Sequence, residues 1–135
     1  MKIFVDTNVL LDTILPRKDR TFTENSALFL ELRHTKEYEL CVSTISLATI
    51  AFYLKEKQDS IKRMKTLMKG ITILDTLASD FSTALQSGQP DIEDAMQFSV
   101  AATNKCDLIA TRDKTGFLKS PIKFMTPEEI LLQIY

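Results

Sequence analysis

Apolar residues in this chain come in short blocks separated by longer amphipathic stretches. Ile3 to Val5 is a short apolar run. Thr7 to Leu15 follows at helical spacing and stops at Pro16, a residue that ends helices by lacking an amide proton. Thr23 to about Lys36 has apolar positions at Ala27, Leu28, Leu30 and Leu32, consistent with an amphipathic helix. Glu39 to Val42 reads as a second strand, and Ser43 or Thr44 can cap a helix through Leu47, Ile50, Ala51 and Leu54. Ile61, Met64, Leu67 and Met68 predict another helix, closed by Gly70, and Ile71 to Leu74 a third strand. Leu77 to about Gln86 and Asp91 to Asn104 are helical on either side of the loop Ser87 to Pro90. Leu108 to Ala110 and Lys123 to Met125 predict the last two strands. Thr126-Pro127-Glu128-Glu129 is a capping box with Pro at the first helical position.

Short apolar strands alternating with helices define an α/β chain whose parallel sheet, of about five strands, is covered on both faces. With 135 residues and no internal repeat or linker, the chain predicts one domain spanning residues 1–135. Only three Gly and four Pro interrupt it, which favours long helices over hairpins. The 17 basic and 18 acidic residues nearly cancel, so any nucleic-acid contact must come from a local patch. The longest uncharged stretch, Leu40 to Leu54, is too short to span a membrane. Asp6 and Asp12 interrupt the opening apolar run, which makes it a poor signal peptide. A cytoplasmic protein without membrane contact is the expectation. Cys41 and Cys106 stand in no metal or redox spacing, and Cys41 reads as a small buried hydrophobe.

The candidate chemistry lies in three acidic clusters at element ends. Asp6 closes the first strand, with Asn8 and Asp12 close behind. Asp91 and Asp94 open a helix and share one face; Glu93 between them points elsewhere and reads as a surface residue. Asp113 follows a strand through Thr111 and Arg112. Each acid has a plainer reading. Asp6 and Asp91 can cap helices, Asp94 can favour a helix dipole, and Asp113 can be a turn residue. Several carboxylates packed together repel one another. A hard oxygen-seeking cation, Mg²⁺ or Mn²⁺, removes that cost and usually works on phosphates. Thr111 can orient a carboxylate or a metal-bound water, and Arg112 can meet a phosphate or remain a solvated surface residue. The single histidine, His34, lies at a polar helix end, which disfavours a histidine-based zinc site or serine triad. Glycine-rich phosphate loops are absent. Lys62 and Lys65, in the basic stretch Lys55 to Lys69, are either a solvated helix face or an RNA-contacting rim beside the acids.

Three stretches, Val5-Asp6-Thr7-Asn8-Val9-Leu10-Leu11-Asp12, Asp91-Ile92-Glu93-Asp94-Ala95 and Ala110-Thr111-Arg112-Asp113, resemble those of PIN domains. This family includes the ribonuclease toxins of VapBC-type toxin–antitoxin pairs, and the resemblance covers nearly the whole chain. It implies a three-layer α/β/α domain, Mg²⁺- or Mn²⁺-dependent cleavage of RNA, an antitoxin partner and frequent homodimers. By position, Asp6, Asp94 and Asp113 match the metal-binding acids, with Asp91 as a further catalytic acid. Asn8 and Thr111 match supporting polar residues, and Asp12 is a further candidate in that role. Two positions depart from the pattern. Thr49 stands where the family carries an acid, and Gly116 stands where another acid often precedes Phe117. Thr49 keeps open an alternative, a PIN-like module that binds RNA or a protein partner with weak or no catalysis. A phosphatase with Asp6 as nucleophile would want a second Asp where Asn8 stands.

Overall fold

A computed structural model describes residues 1–135. Five parallel strands form one sheet: β1 (Lys2–Val5), β2 (Glu39–Ser43), β3 (Thr72–Leu74), β4 (Leu108–Ala110) and β5 (Phe124–Met125). Their order is β3-β2-β1-β4-β5, so the chain builds outward from β1 in one direction and then in the other. Seven helices connect and cover them: α1 (Thr7–Leu11), α2 (Arg20–Leu30), α3 (Thr44–Leu54), α4 (Ser60–Met68), α5 (Ala78–Gln86), α6 (Ile92–Thr103) and α7 (Pro127–Ile134).

Side-chain alternation along the strands feeds two cores. Ile3, Val5, Leu40, Val42, Leu108 and Ala110 pack with α1, α2, α3, α4 and α7 on one face. Phe4, Cys41 and Ile109 face the other way, against Ala84 of α5 and Ala95, Phe98 and Ala101 of α6. A strand buried on both faces has no polar side to show, which is why β1 and β4 read as continuous apolar runs. Full burial of each such aliphatic or aromatic side chain contributes about 1.5–3 kcal/mol relative to exposure.

Local chemistry sets the element ends. Asp19 caps α2 by accepting from Thr21 N at 2.9 Å, so the helix begins earlier than its apolar stripe suggests. Its expected last turn tightens into a 3₁₀ turn, Glu31–His34. Beyond α1, the amides of Thr13 and Ile14 bond back only three residues, at 3.2 and 3.1 Å. The α-helix therefore ends at Leu11 rather than Leu15. Pro16 restricts the backbone of Leu15 and bars continuation beyond it, but it does not reach back to Leu11. A second 3₁₀ turn, Thr115–Phe117, was not foreseen by the apolar pattern. The capping box of α7 forms in both directions, Glu129 N to Thr126 Oγ1 at 3.1 Å and Thr126 N to Glu129 Oε2 at 2.9 Å. No helix is long and apolar enough to cross a membrane.

Candidate metal centre

The strand order reverses between β1 and β4, and open α/β sheets place ligands beyond the carboxyl ends of strands at such a point. Asp6 directly follows β1, and Thr111 directly follows β4. Asp6 occupies the cap position of α1, yet its side chain makes no capping bond. Its Oδ2 instead accepts from Thr111 Oγ1 at 2.8 Å. That same hydroxyl accepts from Asp113 N at 3.0 Å, so one threonine ties two acids of the site together.

Asp6, Asn8, Asp91, Glu93, Asp94 and Asp113 line one pocket of about 210 Å³, with Thr49 and Tyr53 of α3 on its wall. Burial pushes the Asp6 carboxyl up to about 6, against the hydrogen bond from Thr111 and with help from the charges of Asp113 and Glu93. Asp94 rises to about 7, first through burial and then through Asp6, Asp91, Asp113 and Glu93. Both shifts have the sign expected when carboxylates share a space without a counter-charge. Glu93 therefore belongs to the pocket, although its place between two facing acids suggested otherwise. Its exposed side chain lies at the pocket's edge. Asp91 plays both parts weighed for it. It caps α6 by accepting from Asp94 N at 3.1 Å, and it lines the pocket. Thr49 reaches the pocket wall, and its hydroxyl donates back to Ile45 O at 3.3 Å.

Gly116 bears on whether these groups suit a cation. A Cβ built there would lie 2.2 Å from Asp94 Oδ2 and 2.6 Å from Asp113 Oδ2. The missing side chain leaves a small space flanked by two carboxylate oxygens. Gly116 N also donates to Asp113 Oδ1 at 2.9 Å and fixes that acid. No three acids stand close enough to form a ready-made ligand cage. The donor set is all oxygen and half-open, which suits a hard ion that keeps several of its waters. The residues fit a hard divalent cation.

Beneath the pocket lies a neutral hub that sequence reading missed. Gln97, buried and one turn beyond Asp94, donates from Nε2 to Thr7 Oγ1 at 2.9 Å and Ser46 Oγ at 3.1 Å. Ser43 donates to its Oε1 at 2.5 Å. The hub ties α1, α3, α6 and the end of β2 under the acids. A polar residue inside the apolar stretch Ala95 to Ala101 was the available signal.

Four candidate residues lie elsewhere. Asp12 does not join the carboxylate pocket. It is buried, and it accepts from Arg17 Nε at 2.8 Å, Arg112 Nε at 2.9 Å and Ser26 Oγ at 2.8 Å. Arg112 is not a free phosphate contact. Besides Asp12 it bonds Glu128, Phe22 O and Ser26 Oγ, and its guanidinium carbon lies 4.1 Å from the centre of the Phe22 ring. Lys62 and Lys65 form no rim beside the acids. They line cavities next to Asp59, because α4 turns Leu67, Met64 and Met68 toward the core.

This arrangement is a parallel α/β fold with a carboxylate pocket at its point of strand reversal. The chain belongs to the PIN domain family, whose model matches residues 2–115. It is 27% identical over 136 residues to ribonuclease VapC1 of Aquifex aeolicus (strain VF5), covering 95% of this chain and 92% of that protein. Among solved structures it resembles a toxin–antitoxin complex from Klebsiella pneumoniae, at a TM-score of 0.70 and 17% identity, over 93% of this chain and 97% of that one. It also resembles VapBC-1 from nontypeable Haemophilus influenzae, at a TM-score of 0.70 and 15% identity, over 95% and 99% of the two chains. At these identities the two structures speak for the fold.

Proposed function

We propose that this protein is a metal-dependent endoribonuclease of the toxin type, held in check by an antitoxin. The observation that carries the reading is the convergence of Asp6, Asp94 and Asp113 on one pocket without a cation among them. The similarity to ribonuclease VapC1 supplies the substrate class, and the likeness to toxin–antitoxin complexes supports the partner. Asp6, Asp94 and Asp113 hold the ion, Mg²⁺ or Mn²⁺. When bound, it supplies a Lewis acid for a phosphate oxygen and lowers the pKa of a water.

The chain's own groups do the rest. Thr111 holds Asp6 Oδ2 in one orientation. Gly116 N does the same for Asp113. Asp91 Oδ1 is occupied by the α6 cap; its other oxygen accepts a hydrogen from the attacking water. Asn8, exposed at the pocket's edge, donates to a phosphate oxygen of the strand. The exposed apolar side chains Phe52, Leu77, Phe81 and Leu85 offer surface for a second copy of the chain.

Calorimetry with Mn²⁺ and cleavage of single-stranded RNA, on wild type and Asp94→Asn, test the reading together. We expect binding and cleavage in the wild type and loss of both in the folded variant. A wild type that binds Mn²⁺ and cuts no RNA would remove the nuclease assignment. Absence of both would favour the non-cutting binding module, for which Thr49 in the pocket wall is the structural argument.

A further inference from the structure

A second cleft, of about 560 Å³, adjoins the acidic pocket and shares Asn8 and Asp113 with it. Asp12, Arg17, Lys18, Asp19, Phe22 and Arg112 complete its wall. Asp12 is neutralised by Arg17 and Arg112, and Asp19 Oδ1 is taken up by the start of α2. Two positive groups remain uncommitted. Lys18 is exposed and enters no ion pair. Arg17 donates to Asp12 through Nε and to Asn8 O through Nη2, which leaves its Nη1 without a protein partner.

The same wall holds an aromatic ring. Phe22 lies in the first turn of α2, and the Arg112 guanidinium carbon sits 4.1 Å from the centre of its ring. That guanidinium is itself fixed by Asp12, Ser26, Glu128 and the Phe22 carbonyl, so the ring it covers is held as well. Covering a guanidinium takes one face of a ring. Phe22 nonetheless remains 38% exposed, on the wall of the cleft. An accessible ring beside unpaired cations is a stacking surface for a base joined to a phosphate. Because the ring is already fixed, stacking on it costs little further freedom. The cleft has the volume usual for a small-ligand site.

We infer that this cleft is a subsite for a nucleotide next to the scissile phosphate of a single-stranded RNA. The base stacks on Phe22, and a phosphate meets Lys18 and Arg17 Nη1. The inference rests on the nuclease reading of the adjoining pocket, since the shared Asn8 and Asp113 put an occupant of the cleft beside the acids. Every base has a face to stack, so the subsite adds affinity without selecting sequence. Phe22 binds substrate and touches no reacting atom. The buried network around Arg112 thereby gains a second use, holding the ring in place.

Phe22→Leu removes the ring and keeps an apolar cover for Arg112; Phe22→Tyr keeps the ring. Steady-state cleavage of single-stranded RNA with Mn²⁺ should show KM raised about ten-fold in Phe22→Leu, with kcat unchanged, and values close to wild type in Phe22→Tyr. In Lys18→Gln the slope of log kcat/KM against log salt should become shallower by about 0.7, one phosphate contact on a single strand. A folded Phe22→Leu protein with unchanged KM overturns the subsite, leaves the nuclease reading intact and assigns the ring to a protein partner. An unchanged salt slope in Lys18→Gln overturns the phosphate contact. If the wild type cuts nothing, or the Phe22 variants do not fold, NMR of the wild type decides. A short single-stranded RNA is then added with Ca²⁺ in place of Mn²⁺. Phe22 ring protons that move upfield support the subsite even where the nuclease reading has failed, and unmoved ring protons overturn it.

Discussion

Two groups of acids lie at the carboxyl edge of the sheet, drawn from the same two stretches of chain, and they meet opposite electrostatic fates. Asp6 and Asp113 enter a pocket with no counter-charge, whereas their neighbours Asp12 and Arg112 close a network with Arg17 and Glu128. Burial pushes Asp6 up to about 6. Partial burial also pushes Glu128 upward, but the hydrogen bond and charge of Arg112, together with a backbone bond and one from Asn25, outweigh it and hold that carboxyl below its ordinary value. Burial alone therefore does not separate a structural acid from a functional one. The presence of a resident cation does. Paired acids hold α1, α2 and α7 together; the unpaired acids share a pocket with no side-chain counter-charge.

The comparison breaks most visibly at Arg112. Arg112→Leu leaves Asp12, 2% exposed, with only the partly exposed Arg17 as counter-charge. Removing one partner of a buried pair costs about 3 kcal/mol, so a clear drop in the denaturant midpoint is expected. A midpoint within error of the wild type would show the network to be dispensable. In the unpaired group, Gly116→Ala should cost little stability if the two acids swing apart. It should weaken Mn²⁺ binding about ten- to hundred-fold, as disturbed ligand orientation does. Calorimetry reads this, and unchanged affinity would place the ion away from Asp94 and Asp113.

The smallest expected effect is on pH dependence. Without metal, Asp6 and Asp94 bind protons more tightly in the folded chain than their ordinary value of 3.8 allows unfolded. Between about pH 4 and pH 7 the native state therefore holds more protons, and stability falls as pH rises through that window. Metal-free protein should melt at a lower temperature at pH 8 than at pH 5 by this contribution, and Asp6→Asn should flatten the difference. Saturating Mn²⁺ should reverse the slope, since the ion binds the deprotonated acids. A slope identical in wild type and Asp6→Asn would remove Asp6 from the titrating pair.

Sequence carried the strands and the acids well, because both obey local rules. Ile3 to Val5 must be apolar to lie inside a two-sided sheet, and an acid that ends such a run sits at its edge. The α7 capping box is likewise written within four residues. What escaped was pairing at a distance. Nothing near Arg112 in the chain announces Asp12, 100 residues away, and nothing near Gln97 announces Thr7 or Ser46. Lys62 and Lys65 look like a nucleic-acid face in a helical projection. Only the packing of α4 shows that this exposed face lines none of the cavities that hold the acids. Gly116 reads in sequence as a missing acid; in three dimensions it is the space between two others.

The β1–β4 pairing also has a consequence in time. Asp6 is made 105 residues before its partner Thr111. A nascent chain carries the first acid long before it can orient it. Domains fold as units once their chain is available, so the pocket cannot assemble until β4 and Asp113 have been made. A chain interrupted before β4 has Asp6 and Asp94 but neither Thr111 nor Asp113, and so cannot assemble the pocket.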